Sequence, residues 1–352
     1  MRIIIAAGGT GGHIYPALTL AKELLNKGHK ISFVGSTSRM EKDIIPANGF
    51  EFIGLEMKMP VGNLLDKSLA LLSIVKAYFN CKKIVKDYDM AIGFGNYISM
   101  PLILAAKDRG LKTLIHEQNS FAGKANKFLD KKVDLVIGSY MENKDTFKNP
   151  NTKIIGNPQS SKAFNVDKNP KVLKDLGLDP NKKTVVIFMG SLGSQSVNKV
   201  IMNYLNNVDF SYQVIYATGK QNYQTVIQNV KPKKNICIRE VVNGIEVMAN
   251  STMLVSRAGA TTLSEITAMG MPSILIPSPY VPNNHQYYNA LSLINKQAAL
   301  MIEEKDLSTD ELSSTIDRML NDDNLRNQIS KNAKTLANPD VLNEIIEEIE
   351  KI

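Results

Sequence analysis

Twice this chain passes from an apolar run into a glycine-rich loop and then into a helical stretch. The first instance is Ile3-Ile4-Ile5-Ala6-Ala7, Gly8-Gly9-Thr10-Gly11-Gly12-His13 and Ile14-Tyr15-Pro16. The second is Thr184–Met189, Gly190-Ser191-Leu192-Gly193-Ser194 and a helix from about Val197. A strand this apolar is buried on both faces, which calls for a parallel sheet covered by helices on either side. Four glycines in five positions leave only Thr10 with a Cβ in the first turn, so the backbone can lie against a ligand. The N–H groups of the following helix start favour an anion. A phosphate loop at the mouth of the sheet is therefore preferred over a bare turn.

Further apolar runs follow each loop. In the first half they are Lys30–Val34, Met90–Ile92, Thr113–His116, Leu135–Ile137 and Lys153–Ile155. In the second they are Gln213–Tyr216, Ile236–Ile238, Met253–Val255 and Ser273–Ile276. With helices between them, they predict two doubly wound α/β domains in tandem. The polar stretch 159–181, with Pro170 and Pro180, holds the link. Val341, Leu342, Ile345, Ile346, Ile349 and Ile352 have helical spacing and predict a terminal docking helix. Length, 352 residues, agrees with two domains.

Composition narrows the class. Cys81 and Cys237 fit no disulfide framework and no metal or redox spacing. The apolar run before Gly8 is too short for a signal-peptide core, and glycines, His13 and Pro16 rule out a span there. The net charge of +8 is carried entirely by residues 1–158, which hold 22 basic and 14 acidic side chains. That half is expected to face nucleic acid, a lipid surface or a phosphorylated substrate, against the alternative of a merely soluble basic surface. A dinucleotide fingerprint is incomplete in both halves. Ile14 stands where the third glycine belongs, and the second strands end Val34-Gly35-Ser36 and Ala217-Thr218-Gly219 without a ribose-binding acid.

Four constellations carry chemistry. Arg257-Ala258-Gly259-Ala260-Thr261-Thr262-Leu263-Ser264-Glu265 is a small-residue turn into a helix, where a diphosphate can meet the helix end and Glu265 a ribose diol. The alternative is a first-turn acid complementing the helix dipole. Asn283-Asn284-His285-Gln286-Tyr287-Tyr288-Asn289 suits either hydroxyl recognition or a polar helix cap. In His116-Glu117-Gln118-Asn119, Glu117 is an acid–base group or a buried partner of its loop. His13 is a general base, a helix cap or a phosphate donor. Separately, residues 63–88 hold too many apolar side chains for one buried helix face, and six lysines against Asp66 alone within 58–86. Leu64 to Lys86 is thus an interfacial membrane patch or an ordinary core helix, and the charge of this half favours the membrane.

In their order and spacing these runs, with Gly93-Phe94-Gly95, Gly156-Asn157-Pro158 and His285-Gln286, resemble the MurG family of N-acetylglucosaminyltransferases over nearly the whole chain. The resemblance implies a GT-B fold, two Rossmann-like domains facing across a cleft. Residues 1–160 with the helix 338–352 form the acceptor- and membrane-facing domain, and 161–337 the UDP-sugar domain. It implies transfer of N-acetylglucosamine from UDP-N-acetylglucosamine to the muramoyl 4-hydroxyl of lipid I, with inversion, giving lipid II for peptidoglycan. His13, or Glu117, would be the base. Thr10, Gly11 and Gly12 would meet the acceptor diphosphate, and Asn119 and Gln286 the donor sugar. Ser191 and the turn Ala260, Thr261, Thr262, Leu263 and Ser264 would hold the UDP diphosphate, Glu265 the ribose, and Val241 the uracil through its backbone. No metal or other cofactor is implied, since a helix end and backbone N–H groups can stabilise the leaving diphosphate. The implied location is peripheral, on the cytoplasmic face of the bacterial membrane, near other cell-wall synthesis proteins and away from nucleic acid. The chain departs from the family at Asn96, where a glycine is frequent, at Gln159 and Ser160, where an arginine is, and at Met189; it also has no tryptophan. Two other functions suit the same motifs: transfer to another lipid such as a diacylglycerol, and a non-catalytic nucleotide-sugar sensor.

Overall fold

A computed structural model describes residues 1–59, 61–164, 166–190, 195–207 and 211–352. The chain forms two compact units, Met1–Gln159 with Asp340–Ile352, and Ser160–Pro339.

The first unit is a parallel sheet of seven strands: β1 (Arg2–Ala6), β2 (Lys30–Ser36), β3 (Glu51–Leu55), β4 (Met90–Gly93), β5 (Lys112–Glu117), β6 (Leu135–Gly138) and β7 (Thr152–Ile154). Their order is β3-β2-β1-β4-β5-β6-β7. The central strand explains itself. Ile3 and Ile5 join one buried cluster and Ile4 and Ala6 another, so both faces are covered and no polar residue is tolerated. Helix α1 (Gly11–Asn26) lies in the first cluster with the terminal helix Val341–Lys351. That helix buries Val341, Ile345, Ile346 and Ile349. Glu350 approaches His29, and Glu348 pairs with Lys153. The other face carries helix α3 (Leu64–Ile84) packed on α4 (Asn96–Arg109).

The second unit repeats the plan with β8 (Thr184–Phe188), β9 (Gln213–Ala217), β10 (Ile236–Arg239), β11 (Met253–Ser256), β12 (Ser273–Leu275) and β13 (Leu300–Met301), all parallel, in the order β10-β9-β8-β11-β12-β13. Val185 and Ile187 face one core cluster, Val186 the other. Much of the polar stretch 159–181 belongs to this unit, where Leu173 and Leu178 are buried.

Two strands escape the sequence reading. β3 is an edge strand broken by Gly54 and buried mainly at Leu55, so it lacks a continuous apolar run. β13 has only two residues. In both sheets the strand order reverses direction beside the first strand, between β1 and β4 and between β8 and β11. In open α/β sheets a ligand crevice opens at such a point, outside the carboxyl ends of the strands. The glycine loops and the Arg257 turn are the segments that leave those strand ends.

Candidate active site

In the first unit the loop after β1 enters α1 at Gly11. Gly9 has φ +82°, a conformation that favours glycine. Thr10 takes the N-cap position, but its hydroxyl does not bond a helix N–H. It bonds the His13 ring instead, Oγ1 to Nδ1 at 2.9 Å. A cap role for His13 thus gives way to a side-chain pair spanning the helix start. Gly11 and Gly12 are the first two helical residues, and no carboxylate stands in that first turn.

The loop after β4 closes on the same place. Gly95 has φ +87°, and a Cβ there would lie 3.5 Å from His13 Cδ2 and 3.4 Å from Asn126 Nδ2. His13 and Asn126 thus flank one backbone position, where the positive φ rather than lack of space favours glycine. Asn126 Nδ2 in turn donates to Glu117 Oε2 at 2.9 Å.

Glu117 is buried, and both its oxygens are occupied. Oε1 accepts from Asn119 N and Nδ2, and Oε2 from Gly123 N and Asn126. Burial raises its pKa against the opposing pull of these donors. This is the geometry of a loop organiser, the second of the two readings the sequence left open. Asn119 is held between Glu117 and Asn143, whose Nδ2 donates to the Asn119 and Ser120 carbonyls. His116 is also structural. Nε2 donates to Gly156 O at 3.0 Å, Nδ1 accepts from Gln118 Nε2, and the ring stacks on Phe94. Burial lowers its pKa to about 4.

His116 yields a stability prediction. The unfolded imidazole titrates near ~6.5. Between there and about 4 the unfolded chain binds a proton that the folded chain refuses, so this group costs stability as pH falls through that window. Glu117, with its pKa raised, acts in the opposite sense from its ordinary range upward. The wild-type curve mixes both, but its difference from His116→Gln isolates the histidine. Urea unfolding should show that difference shrinking by about 3 kcal/mol from pH 7 to pH 4. A constant difference contradicts the neutral buried ring.

Two family departures are accommodated locally. Asn96 takes φ +53°, a left-handed conformation that asparagine tolerates better than most residues. Gln159 is buried and accepts from Thr19 Oγ1 at 2.9 Å.

In the second unit Ser191 lies outside the described residues. The loop after β11 is built by buried polar groups. Arg257 pairs with Glu304 at 2.6 Å and donates to Ile276 O. Buried Asn289 donates to Ala258 O at 3.2 Å. Gly259 is the N-cap of the helix Ala260–Met269, and Gly270 ends it in the left-handed region. Glu265 is the sixth residue of that helix, and its first turn has no acid. The alternative of a first-turn, dipole-complementing carboxylate is thus corrected: Glu265 stands in the second turn, leaving the helix end to attract an anion. The Ser264 and Thr267 hydroxyls bond back into the helix.

The amide run after β12 is partly structural. Gln286 Oε1 accepts from Ser278 N at 2.9 Å, and Asn289 is committed to the Arg257 loop. Asn283 and Asn284 adopt left-handed backbone. Val241, beyond β10, is well exposed. Thr10 to His13, Glu117 and Asn119 thus gather at the carboxyl edge of the first sheet. Val241, Ala260 to Glu265 and Gln286 lie beyond the carboxyl ends of strands of the second.

One Asp-x-Asp run occurs, Asp87-Tyr88-Asp89. Asp89 accepts from Arg2 N at the start of β1, the opposite end from the loops. Among the described residues no group of three His, Cys, Asp or Glu could hold a metal ion. The sequence reading also missed Glu41, wholly buried against the first glycine loop. Arg39-Met40-Glu41-Lys42-Asp43 reads as a solvated helix start, and only the glycine at Gly35 hints at a side chain crossing there.

Residues 3–137 match the glycosyltransferase family 28 N-terminal domain, and 184–345 its C-terminal domain. The UDP-N-acetylglucosamine--N-acetylmuramyl-(pentapeptide) pyrophosphoryl-undecaprenol N-acetylglucosamine transferase of Pediococcus pentosaceus is 37% identical, with 96% of each chain covered. Transferase 1 of that name from Bacillus cereus is 36% identical over 100% of this chain and 99% of its own. The crystal structure of Acinetobacter baumannii MurG shares the fold with a TM-score of 0.80, at 24% identity over 100% of this chain and 99% of that one. On this identity and coverage, the chain belongs to glycosyltransferase family 28 and, within it, to the MurG family of N-acetylglucosaminyltransferases.

Proposed function

We infer that this protein transfers N-acetylglucosamine from UDP-N-acetylglucosamine to the 4-hydroxyl of the muramoyl unit of lipid I, forming lipid II with inversion at the anomeric carbon. The observation that carries this reading is the end-to-end relationship to enzymes bearing that name. In this reading His13 is the base. Its Nδ1 is paired with Thr10 Oγ1 at 2.9 Å, which orients the ring, and Nε2 is the nitrogen that takes the proton. The acceptor hydroxyl gives its proton to Nε2 as its oxygen attacks the anomeric carbon. The bond from that carbon to the diphosphate oxygen breaks, and UDP leaves with the electron pair. The N-terminus of the Ala260–Met269 helix, with Thr261, Thr262 and Ser264 in its first turns, receives the charge that develops there. Glu265 takes the ribose diol, Val241 the uracil, and Gln286 and Asn119 the sugar. Ser191 joins the diphosphate contacts. Gly11 and Gly12 meet the acceptor diphosphate at the start of α1. Glu117 holds the Asn119 loop rather than moving a proton. Assay of purified protein with labelled donor and a lipid I analogue tests the reading.

No helix among the described residues is long and apolar enough to cross a membrane. The acceptor must still be reached at a membrane surface, and α3 supplies the means. Asn63 and Asp66 cap its start reciprocally. Within α3 only Ala70, Ala77 and Cys81 are buried, small residues that allow close packing on α4. Leu64, Leu65, Leu71, Leu72 and Phe79 stand in solvent, Leu64 at 82% and Phe79 at 59% exposure. This apolar surface is accompanied by Lys58, Lys67, Lys76, Lys82, Lys83 and Lys86, and it would sit on the cytoplasmic face, where anionic headgroups attract lysine. Replacing Leu65, Leu72 and Phe79 with glutamine should cut binding to anionic vesicles ~10-fold or more, since each loses buried apolar area. Binding by the wild type should weaken as salt rises. Salt-insensitive binding, or binding equal in the triple variant, contradicts the patch.

A further inference from the structure

The mechanism leaves the wholly buried carboxylate of Glu41 unused. Glu41 opens helix α2 (Glu41–Ala47) and is 0% exposed. Its oxygens reach two loops: Oε2 accepts from Gly9 N at 3.0 Å and Oε1 from Ser36 N at 3.0 Å. The glycines around it exist to admit it. A Cβ at Gly8 would collide with the Glu41 carboxylate, and one at Gly35 would lie 2.7 Å from Glu41 Cγ.

Asn96 acts on the other end of the same peptide group. Its Nδ2 donates to Gly8 O at 2.5 Å, while its Oδ1 accepts from Ile98 N. Gly8 C=O and Gly9 N–H belong to one planar unit, so Glu41 and Asn96 fix the orientation of that plane from opposite sides. The next residue is Thr10, whose hydroxyl holds the His13 ring.

We propose that Glu41 is a positioning residue: with Asn96 it locks the Gly8–Gly9 peptide and, through Thr10, sets the imidazole of His13. The lock also commits the Gly9 N–H to a carboxylate, so an acceptor phosphate must bind further along, at Gly11 and Gly12. The proposal rests on the reading of His13 as base, and its test separates the two. Catalytic groups lose rate steeply with small displacements, so Glu41→Gln, which turns one of its two acceptors into a donor facing an N–H, should lower kcat ~10–100-fold. KM for UDP-N-acetylglucosamine should stay within ~2-fold, because the donor contacts lie elsewhere.

Nitrogen-15 histidine spectra give a readout independent of turnover, because the chain has only four histidines. In Glu41→Gln the His13 ring resonances should shift while those of His29 and His285 stay in place. In a His13→Ala background, Glu41→Gln should cost less than ~3-fold further, since residues that act as a unit are not additive. Unmoved His13 resonances, or the full loss persisting without His13, overturn the proposal. Near-normal turnover of His13→Ala overturns the base assignment alone, and the spectra still decide the lock. Should Glu41→Gln fail to fold, Asn96→Gly tests the same peptide, keeping the left-handed backbone while removing the donor to Gly8 O. It should shift His13 in the same way, and an unchanged spectrum overturns the lock.

Discussion

Replacing His13 with alanine is expected to lower kcat about 10²- to 10⁴-fold, the range that a positioned general base supplies. KM for UDP-N-acetylglucosamine should change little, because the donor contacts, Asn119 apart, are assigned to the second unit. The argument rests on placement. His13 is the third residue of α1, directly after the glycine loop, with Nδ1 paired to Thr10 and the ring edge against Gly95. Thr10→Val should reproduce part of the loss, since it removes the partner that orients the ring. Steady-state kinetics with both substrates varied decide the matter. A near-normal kcat in folded His13→Ala moves proton removal to another group. Glu117 is a poor successor, because four N–H donors already occupy its oxygens.

Glu265→Ala should raise KM for the donor about 10²- to 10⁴-fold, with a smaller effect on kcat. A carboxylate accepting from two ribose hydroxyls makes charge-assisted hydrogen bonds worth about 1.5–3 kcal/mol each. They are present before and during the reaction, so their loss appears in binding rather than in turnover. Glu265 lies in the second turn of the helix Ala260–Met269, far enough along to reach past a diphosphate held at the helix end. Glu265→Gln should fall between the two, because the amide retains one acceptor. Direct donor binding by calorimetry checks the result without turnover. An unchanged affinity in the alanine variant removes the ribose role.

Much of this was legible in the sequence because burial writes itself into the strands. β1, β8 and β11 are covered on both faces and therefore run apolar without interruption, and the loops after them carry the glycines and small residues that mark the switch points. β3 and β13 were not legible, since an edge strand with Gly54 and a two-residue strand leave no periodic signal. Site residues were readable where the backbone needs an unusual residue, as at Gly9 and Gly95. They were not readable where a charged residue is hidden. Glu41 sits among Arg39, Lys42 and Asp43, a pattern that reads as a solvated surface, and only its tertiary partners distinguish it. The amide-rich segments were legible as polar but not as to purpose. Asn289 turned out to brace a loop, while the sequence offered its run either to substrate hydroxyls or to a polar helix cap.

The most direct test of the central claim is a transfer assay with purified protein, labelled UDP-N-acetylglucosamine, and lipid I and diacylglycerol analogues side by side. The account predicts a β-linked N-acetylglucosaminyl product on the lipid I analogue alone, with UDP released in equal amount. Donor binding by folded protein without transfer, or transfer to diacylglycerol instead, would contradict it.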